Sequence, residues 1–502
     1  MKQLILTLIS SLLITIAGHA AAEKKTIDAV VIIDSSGSMK QSDPKSMRKP
    51  AAKLFISLLG ENDRVSIMSF SDNGYPITYL NTLDNDENIQ RTLKATDKVS
   101  TKGIYTNIHA AVERGYKILS ENKSEHDQVI ILLSDGKMDI GNPAKSNELS
   151  RRLLEETIPK LNKSGIKVYS IAFTEESDRD LLTTLAERTE GFCKVATNDK
   201  DLHLAFTSIF EQSKQPDMLP LTENKFLADK SIREITIVAN KASADSKIFL
   251  EDPKQTRFDA TVTDKNIKWF ISDTFDMITI KKPLEGEWKI LFSDNNNKAY
   301  IVADMKMQSK FDFEEVNNIS KLQAQAWLEK EDKIVTEAAI LDSIQASIEL
   351  SAPSEQTKTI PMGLAINDEK LSGVFLANNK PEERGTYFAT ITLKSQTFER
   401  QKTFSFTSMG IPEVKTEPVA EEMTEEKEAE PEKPAPSETN KEPQPQVPAP
   451  EADTEEDDDF IFSMLIFMAA NVVIIMIGLG IYLVIKIRKS KQNDTNTDNA
   501  EE

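Results

Sequence analysis

Cysteine is nearly absent. Cys193 is the only one in 502 residues, so no intramolecular disulfide can form. Exported domains often lean on disulfides; any folded unit here must rest on its core or on a metal. Cys193, inside Gly-Phe-Cys-Lys (191–194), reads as a packed thiol. Histidine is scarce too: beyond His19 there are only His109, His126 and His203, with no His-Glu-x-x-His spacing. No Gly-x-Ser-x-Gly elbow and no phosphate-binding loop occurs. These absences argue against a hydrolase or a phosphoryl-transfer enzyme. Lys and Arg total 61 against 81 Asp and Glu, for a net charge of −20. With no basic stripe and no zinc-knuckle spacing, nucleic-acid binding is not expected.

The two ends carry targeting features. Lys2, an apolar stretch over 4–17 and Ala20-Ala21-Ala22 read as a signal peptide over 1–22, with the mature chain starting near Ala21 or Glu23. Residues 460–485 form a run of 26 without a charge, long enough to span a bilayer as a single helix. Lys486, Arg488, Lys489 and Lys491 follow it, which places the tail 486–502 in the cytoplasm and everything before the span outside it. The expected location is the cell inner membrane, single-pass, with periplasmic N-terminal domains. Residues 412–459 hold 18 acidic and 4 basic residues with many prolines, so they lack the apolar surface to fold. Fully stretched, such a linker reaches about 150 Å.

Between these ends the texture is first α/β. Apolar or β-branched runs at 27–33, 65–70, 77–80, 128–133, 166–173 and 192–196 predict strands. Helical patterns at 47–59, 87–95, 107–120, 147–162, 178–189 and 201–212 separate them. Pro50 is awkward inside the first helix and predicts a start at Lys49 or Pro50. The alternation implies a doubly wound, mostly parallel sheet between helix layers. In such sheets ligands bind beyond the carboxyl ends of strands.

Three polar features fall on that rim. Asp34, Ser36 and Ser38 follow the first strand, Thr106 precedes a helix, and Asp135 ends another apolar run. Each alone is compatible with a turn or a helix cap. Together they make an oxygen-only donor set with two carboxylates. Hard oxygens without His or Cys suit Mg²⁺, with Mn²⁺ or Ca²⁺ as alternatives. Five protein donors leave a coordination position open, and two negative charges leave the ion electrophilic toward an outside carboxylate. The expected partner is therefore a protein presenting an Asp or Glu side chain. A purely structural metal in an envelope spacer and a metal-dependent hydrolase are the alternatives.

Asp34-Ser-Ser36-Gly-Ser38, then Thr106, then Asp135-Gly136, resembles the metal-ion-dependent adhesion site (MIDAS) of the von Willebrand factor A (VWA) domain. The resemblance covers 25–215. It implies a Rossmann-like fold without enzymatic activity. It also implies metal coordination by Ser36, Ser38 and Thr106, with Asp34 and Asp135 completing the shell partly through water. One departure is Gly-Ile-Tyr-Thr-Asn (103–107), where many members carry two glycines before the threonine; Ile104 and Tyr105 would narrow the mouth or touch a partner. Asp139 is expected to structure its loop. The overall layout resembles a group of bacterial, mainly Gram-negative, membrane-anchored proteins with such a domain.

After the α/β region, short alternating runs with turn residues predict a β-sandwich-like domain over 220–310. Pro283, Gly286 and Trp288 weakly resemble a Pro-x-x-Gly-x-Trp pattern of β-domains that follow VWA domains. A second set predicts an immunoglobulin-like β domain over 325–410, with Tyr387, Ala389, Ile391 and Leu393 on one strand face. Both are expected to be spacers.

Overall fold

The computed structural model describes residues 25–409, apart from 175–176, 317–318 and 368–369. The expected signal peptide, linker, membrane span and tail lie outside the described residues. Among the described residues no helix is long and apolar enough to cross a membrane.

The N-terminal part is a head built on one mixed sheet. Its strands are β1 (Ile27–Asp34), β2 (Arg64–Phe70), β3 (Gly74–Pro76), β4 (Asn81–Thr82), β5 (Asp127–Ser134), β6 (Lys167–Ala172) and β7 (Cys193–Val195). The order is β3-β2-β1-β5-β6-β7, with β4 also on β2. All pairings are parallel except those of β3 and β4. The helices are α1 (Met39–Ser42), α2 (Arg48–Leu58), α3 (Asp86–Asp97), α4 (Ile108–Glu121), α5 (Pro143–Arg152), α6 (Ile158–Lys163), α7 (Arg179–Glu187) and α8 (Asp199–Lys214). β1 is buried along its whole length. Ala29, Val31 and Ile33 pack with α2, α3 and α8 on one face; Val30 and Ile32 pack with α4 and α7 on the other. A strand covered on both faces needs an unbroken apolar run, as here.

Three local departures from expectation have physical causes. Residues 77–80 are not a strand. The amides of Ile77 and Thr78 both donate to the Ile67 carbonyl (2.8 and 3.1 Å), and Thr78 Oγ1 takes the Ile67 amide, so the chain leaves the ladder between β3 and β4. α2 starts at Arg48, and Pro50 sits in its first turn, where a missing N–H removes no helical bond. The helix expected at 147–162 runs from Pro143 to Lys163 with a π stretch at Leu153–Thr157. Pro159 lies just beyond; it lacks an N–H, and its ring would clash with the carbonyl four residues back, so the ladder widens there.

The rest is β. Among the described residues, a four-stranded sheet (Lys225–Ala228, Phe249–Glu251, Arg257–Phe258, Gly286–Leu291) faces one end of a nine-stranded antiparallel sheet. Phe226, Leu250 and Trp288 pack there against Ile235, Ile237 and Ile278. A five-stranded sheet faces the other end, with Leu322, Phe375 and Met307 against Ile348, Ile391 and Phe404. Two sandwiches therefore share one sheet. The weld is β8 (Asp217–Met218), which pairs with Tyr300 and Ile301 on one side and Gln401 on the other. A long hairpin, Met305–Val316 with Ile319–Lys330, runs through the stretch expected to separate two modules.

The two sandwiches repeat a backbone device. Gly286 (φ +127°) backs onto Pro253, and Gly385 (φ +128°) backs onto Pro353; a Cβ at either glycine would come within 2.9 Å of the proline ring. The turns after both prolines carry a left-handed residue, Gln255 and Glu355, and close with matching hydrogen bonds, Asp252 N to Thr256 O and Ala352 N to Gln356 O.

The head docks on the shared sheet through α8. Phe210 meets Tyr300 edge-on at 5.0 Å, and the Tyr300 hydroxyl donates to Glu211 (3.0 Å). His203 Nε2 lies 2.7 Å from Asn240 Oδ1. Phe206 packs on Phe55 of α2. Aromatic burial of this kind is worth a few kcal/mol per ring.

Candidate metal centre

β1 carries Asp34 to the rim, where it pairs with Phe70 of β2 and has no exposed surface. Its Oδ1 accepts from the Ser36 amide (2.8 Å) and its Oδ2 from Ser134 Oγ (2.7 Å). Burial pushes the Asp34 carboxyl up to about 6; the Ser36 bond opposes this, and the negative charge of Asp135 adds to it.

The turn after β1 presents the hydroxyls. Ser36 Oγ lies 2.9 Å from Ser38 Oγ, and Ser38 Oγ donates to Asp135 Oδ1 (2.9 Å). Ser36 Oγ is itself 3.5 Å from that oxygen. Ser42, at the end of α1, donates to Asp135 Oδ2. Asp34, Ser36, Ser38 and Asp135 thus converge in one cluster from strand ends that lie side by side.

Thr106 reaches the cluster by a stiff loop. It does not cap α4: Asn107 does, accepting from the Ala110 amide (3.0 Å). The Gly103 amide donates to Ser35 O (2.9 Å), and a Cβ there would fall 2.3 Å from Ser71 Cβ, so only glycine fits. Thr106 exchanges both backbone bonds with Asp139 (2.8 and 3.1 Å). Asp139 Oδ1 in turn accepts from the Gly141 amide, which closes its own loop. Thr106 is buried, and its Oγ1 lies 3.3 Å from where a Cβ on Gly136 would stand. The structure therefore sets Thr106 against the residue after Asp135, without a direct hydrogen bond to the other four.

The charge balance tests whether a cation fits. Five other buried aspartates each hold a cationic side chain: Asp28 with Arg64, Asp43 with Arg48, Asp63 with Lys214, Asp229 with Arg400 and Asp276 with Lys241. Asp34 and Asp135 hold none among the described residues; hydroxyls and backbone amides alone surround them. Two neighbouring buried carboxylates without a positive partner leave an electrostatic deficit that a divalent ion would fill. Hydroxyl oxygens and carboxylates are the donor chemistry of a hard cation.

Two contributors escaped the sequence reading. Ser42 stands four residues after Ser38, a helical spacing that could have flagged it. Ser134 closes β5 directly before Asp135 and looks like an ordinary strand end. Ile104 is 83% exposed on the rim, whereas Tyr105 turns its ring onto Gly141.

Residues 28–212 match the family model of the von Willebrand factor type A domain. Among curated proteins, inter-alpha-trypsin inhibitor heavy chain H3 of Homo sapiens is 23% identical over 245 residues, 44% of this chain and 26% of that protein. The same protein of Mesocricetus auratus is 23% identical over 247 residues, 45% of this chain and 26% of that protein. The matched stretch thus spans about a quarter of those relatives' length. Among solved structures, a von Willebrand factor type A protein from Catenulispora acidiphila aligns at 15% identity over 61% of this chain and 64% of that one, with a TM-score of 0.32. Proximal thread matrix protein 1 from the mussel byssus, with a zinc-occupied MIDAS motif, aligns at 17% identity over 39% and 50%, with a TM-score of 0.32.

Proposed function

We propose that the von Willebrand factor type A domain at residues 28–212 is a metal-dependent protein-binding module. In this reading Ser36, Ser38 and Thr106 ligate Mg²⁺ (or Mn²⁺ or Ca²⁺), and Asp34 and Asp135 complete the shell. Ser42 and Ser134 hold the two carboxylates in place. An open coordination position takes an Asp or Glu side chain from a partner protein, with Ile104 as an apolar contact beside it. The observation that carries this is the pair of buried aspartates that lack a cationic side chain, ringed by hydroxyls. The family's general role as an interaction module supports it.

A binding role also fits the fate of the histidines. His126 Nδ1 sits 2.9 Å from Asp28, and His203 bonds Asn240. His109 is buried on α4, with its imidazole held neutral by that burial. None faces the cluster as a proton shuttle. The cellular setting belongs to the same proposal: a signal peptide over 1–22, a stalk over 412–459 and a membrane span over 460–485 would display the head in the periplasm of an inner-membrane protein.

The test uses the full-length chain and Asp135→Asn, which keeps the shape and removes one charge. Mg²⁺ at a hundredfold excess over Kd stabilises a fold that binds it by about 2.7 kcal/mol. The wild type is expected to melt several degrees higher with Mg²⁺ than with EDTA, and the variant to show no difference. An equal gain in both would contradict the site.

A further inference from the structure

Three lysines stand on the rim of the proposed metal centre. Lys40 lies two residues after Ser38, Lys102 directly precedes Gly103, and Lys137 lies two residues after Asp135. All three are exposed, and none makes an ion pair with a described residue. The contrast with the rest of the surface is chemical. Lys53, Lys160, Lys167 and Lys200 each hold a carboxylate at 2.9 Å or less.

The acids of the same rim are engaged by their own loops. Asp72 accepts from Ser71 Oγ (2.8 Å) and from the Tyr75 hydroxyl (2.9 Å). Asp139 accepts from the Gly141 amide (2.7 Å). The glutamates at 175 and 176 follow β6 and lie outside the described residues. The segments 25–215 carry 26 basic and 28 acidic residues, so the head as a whole is close to neutral, and a local excess of one sign is not masked by its net charge. The lysine-bearing segments are held in place. Gly103 is fastened to Ser35, and the Asp135 loop is fastened through Asp139 to Thr106.

We infer that this rim is an interaction surface for an acidic stretch of a partner protein, not for a lone carboxylate. One acidic side chain goes to the metal, and its neighbours in the partner's chain meet Lys40, Lys102 and Lys137. The inference rests on the metal-binding reading above and adds the class of partner. The physics is steering. Fixed charges of one sign around a cleft raise the encounter rate with an oppositely charged ligand, and salt screens the effect. Exposed pairs are individually weak, and three together amount to about a tenfold change in affinity.

The experiment uses the full-length chain and two synthetic nine-residue peptides, each with one central Glu. One has four flanking Glu residues; the other has Gln in their place. Binding is read by fluorescence anisotropy in millimolar Mg²⁺ at low and high salt. The acidic peptide is expected to bind about tenfold tighter than the other at low salt, with the gap closing at high salt. The combined variant Lys40→Gln, Lys102→Gln, Lys137→Gln should close the gap at low salt while the single-Glu peptide binds as before. The corresponding triple Arg variant should restore the gap. Equal binding of both peptides to the wild type, no binding of either, or a gap that survives the Gln variant would overturn the inference. Failure of the metal reading gives a different pattern: the preference for the acidic peptide persists in EDTA and in Asp135→Asn.

Discussion

Asp34 holds the most informative titration. Its carboxyl, pushed to about 6 from an ordinary 3.8, favours the protonated form in the metal-free fold. Folded protein then binds a proton that the unfolded chain has lost between about pH 4 and 6, so metal-free stability falls as pH rises through that window, by about 3 kcal/mol. A cation needs the ionised form. The melting-temperature gain from Mg²⁺ is therefore expected to be full near pH 7.5 and to shrink as pH drops through 6; a gain constant between about pH 5 and 7.5 would remove Asp34 from the shell. Ser42 gives a second prediction at this scale. Its hydroxyl orients Asp135, and outer partners of this kind are worth about ten- to a hundredfold in metal affinity. Ser42→Ala should weaken Mg²⁺ binding by about tenfold in calorimetry, and an unchanged affinity would show that Asp135 needs no such support.

At the scale of elements, the site is made by loops pressed together at strand ends. Gly103 lies where the loop before α4 touches both Ser35 and Ser71. Gly103→Ala forces those loops apart and should lower stability to denaturant by about 1–3 kcal/mol, together with a loss of metal affinity; a variant as stable as wild type would mean the loops can move. The head's strands and helices were readable because each apolar run is covered on both faces and each helix shows a clear stripe. Asp34, Ser36, Ser38, Thr106 and Asp135 were readable as a group because each stands beyond an apolar strand or just before a helix. Ser134 was not, since nothing local says that its hydroxyl turns toward β1. The π stretch at Leu153–Thr157 was hidden because its cause, Pro159, lies downstream of the residues it distorts.

On the scale of the whole molecule, the unexpected feature is the sheet common to both sandwiches. Strand patterning reveals faces but not neighbours, and β8 is only two residues long, so its double pairing could not be read from periodicity. The hairpin Met305–Lys330 was missed for a related reason: its alternation is diluted by Gln, Ala and charged residues. Arg400 ties the two sandwiches. It has no exposed surface and donates to Asp229 (2.7 Å), Ser231 Oγ (2.9 Å) and Met305 O (3.2 Å). Arg400→Ala strands a buried carboxylate, at a cost of about 3–5 kcal/mol. Hydrogen exchange should rise at Asp229–Ile232 and around Met305 together; a rise confined to the strand of Arg400 would mean that the sandwiches are not coupled through it.

Anomalous diffraction from crystals of the protein grown in millimolar manganese chloride addresses the metal centre directly. The account predicts one strong peak enclosed by Asp34, Ser36, Ser38, Thr106 and Asp135, with at least one position filled only by water. Ordered density with no peak there, and with Ser38 and Ser42 still donating to Asp135, would contradict it.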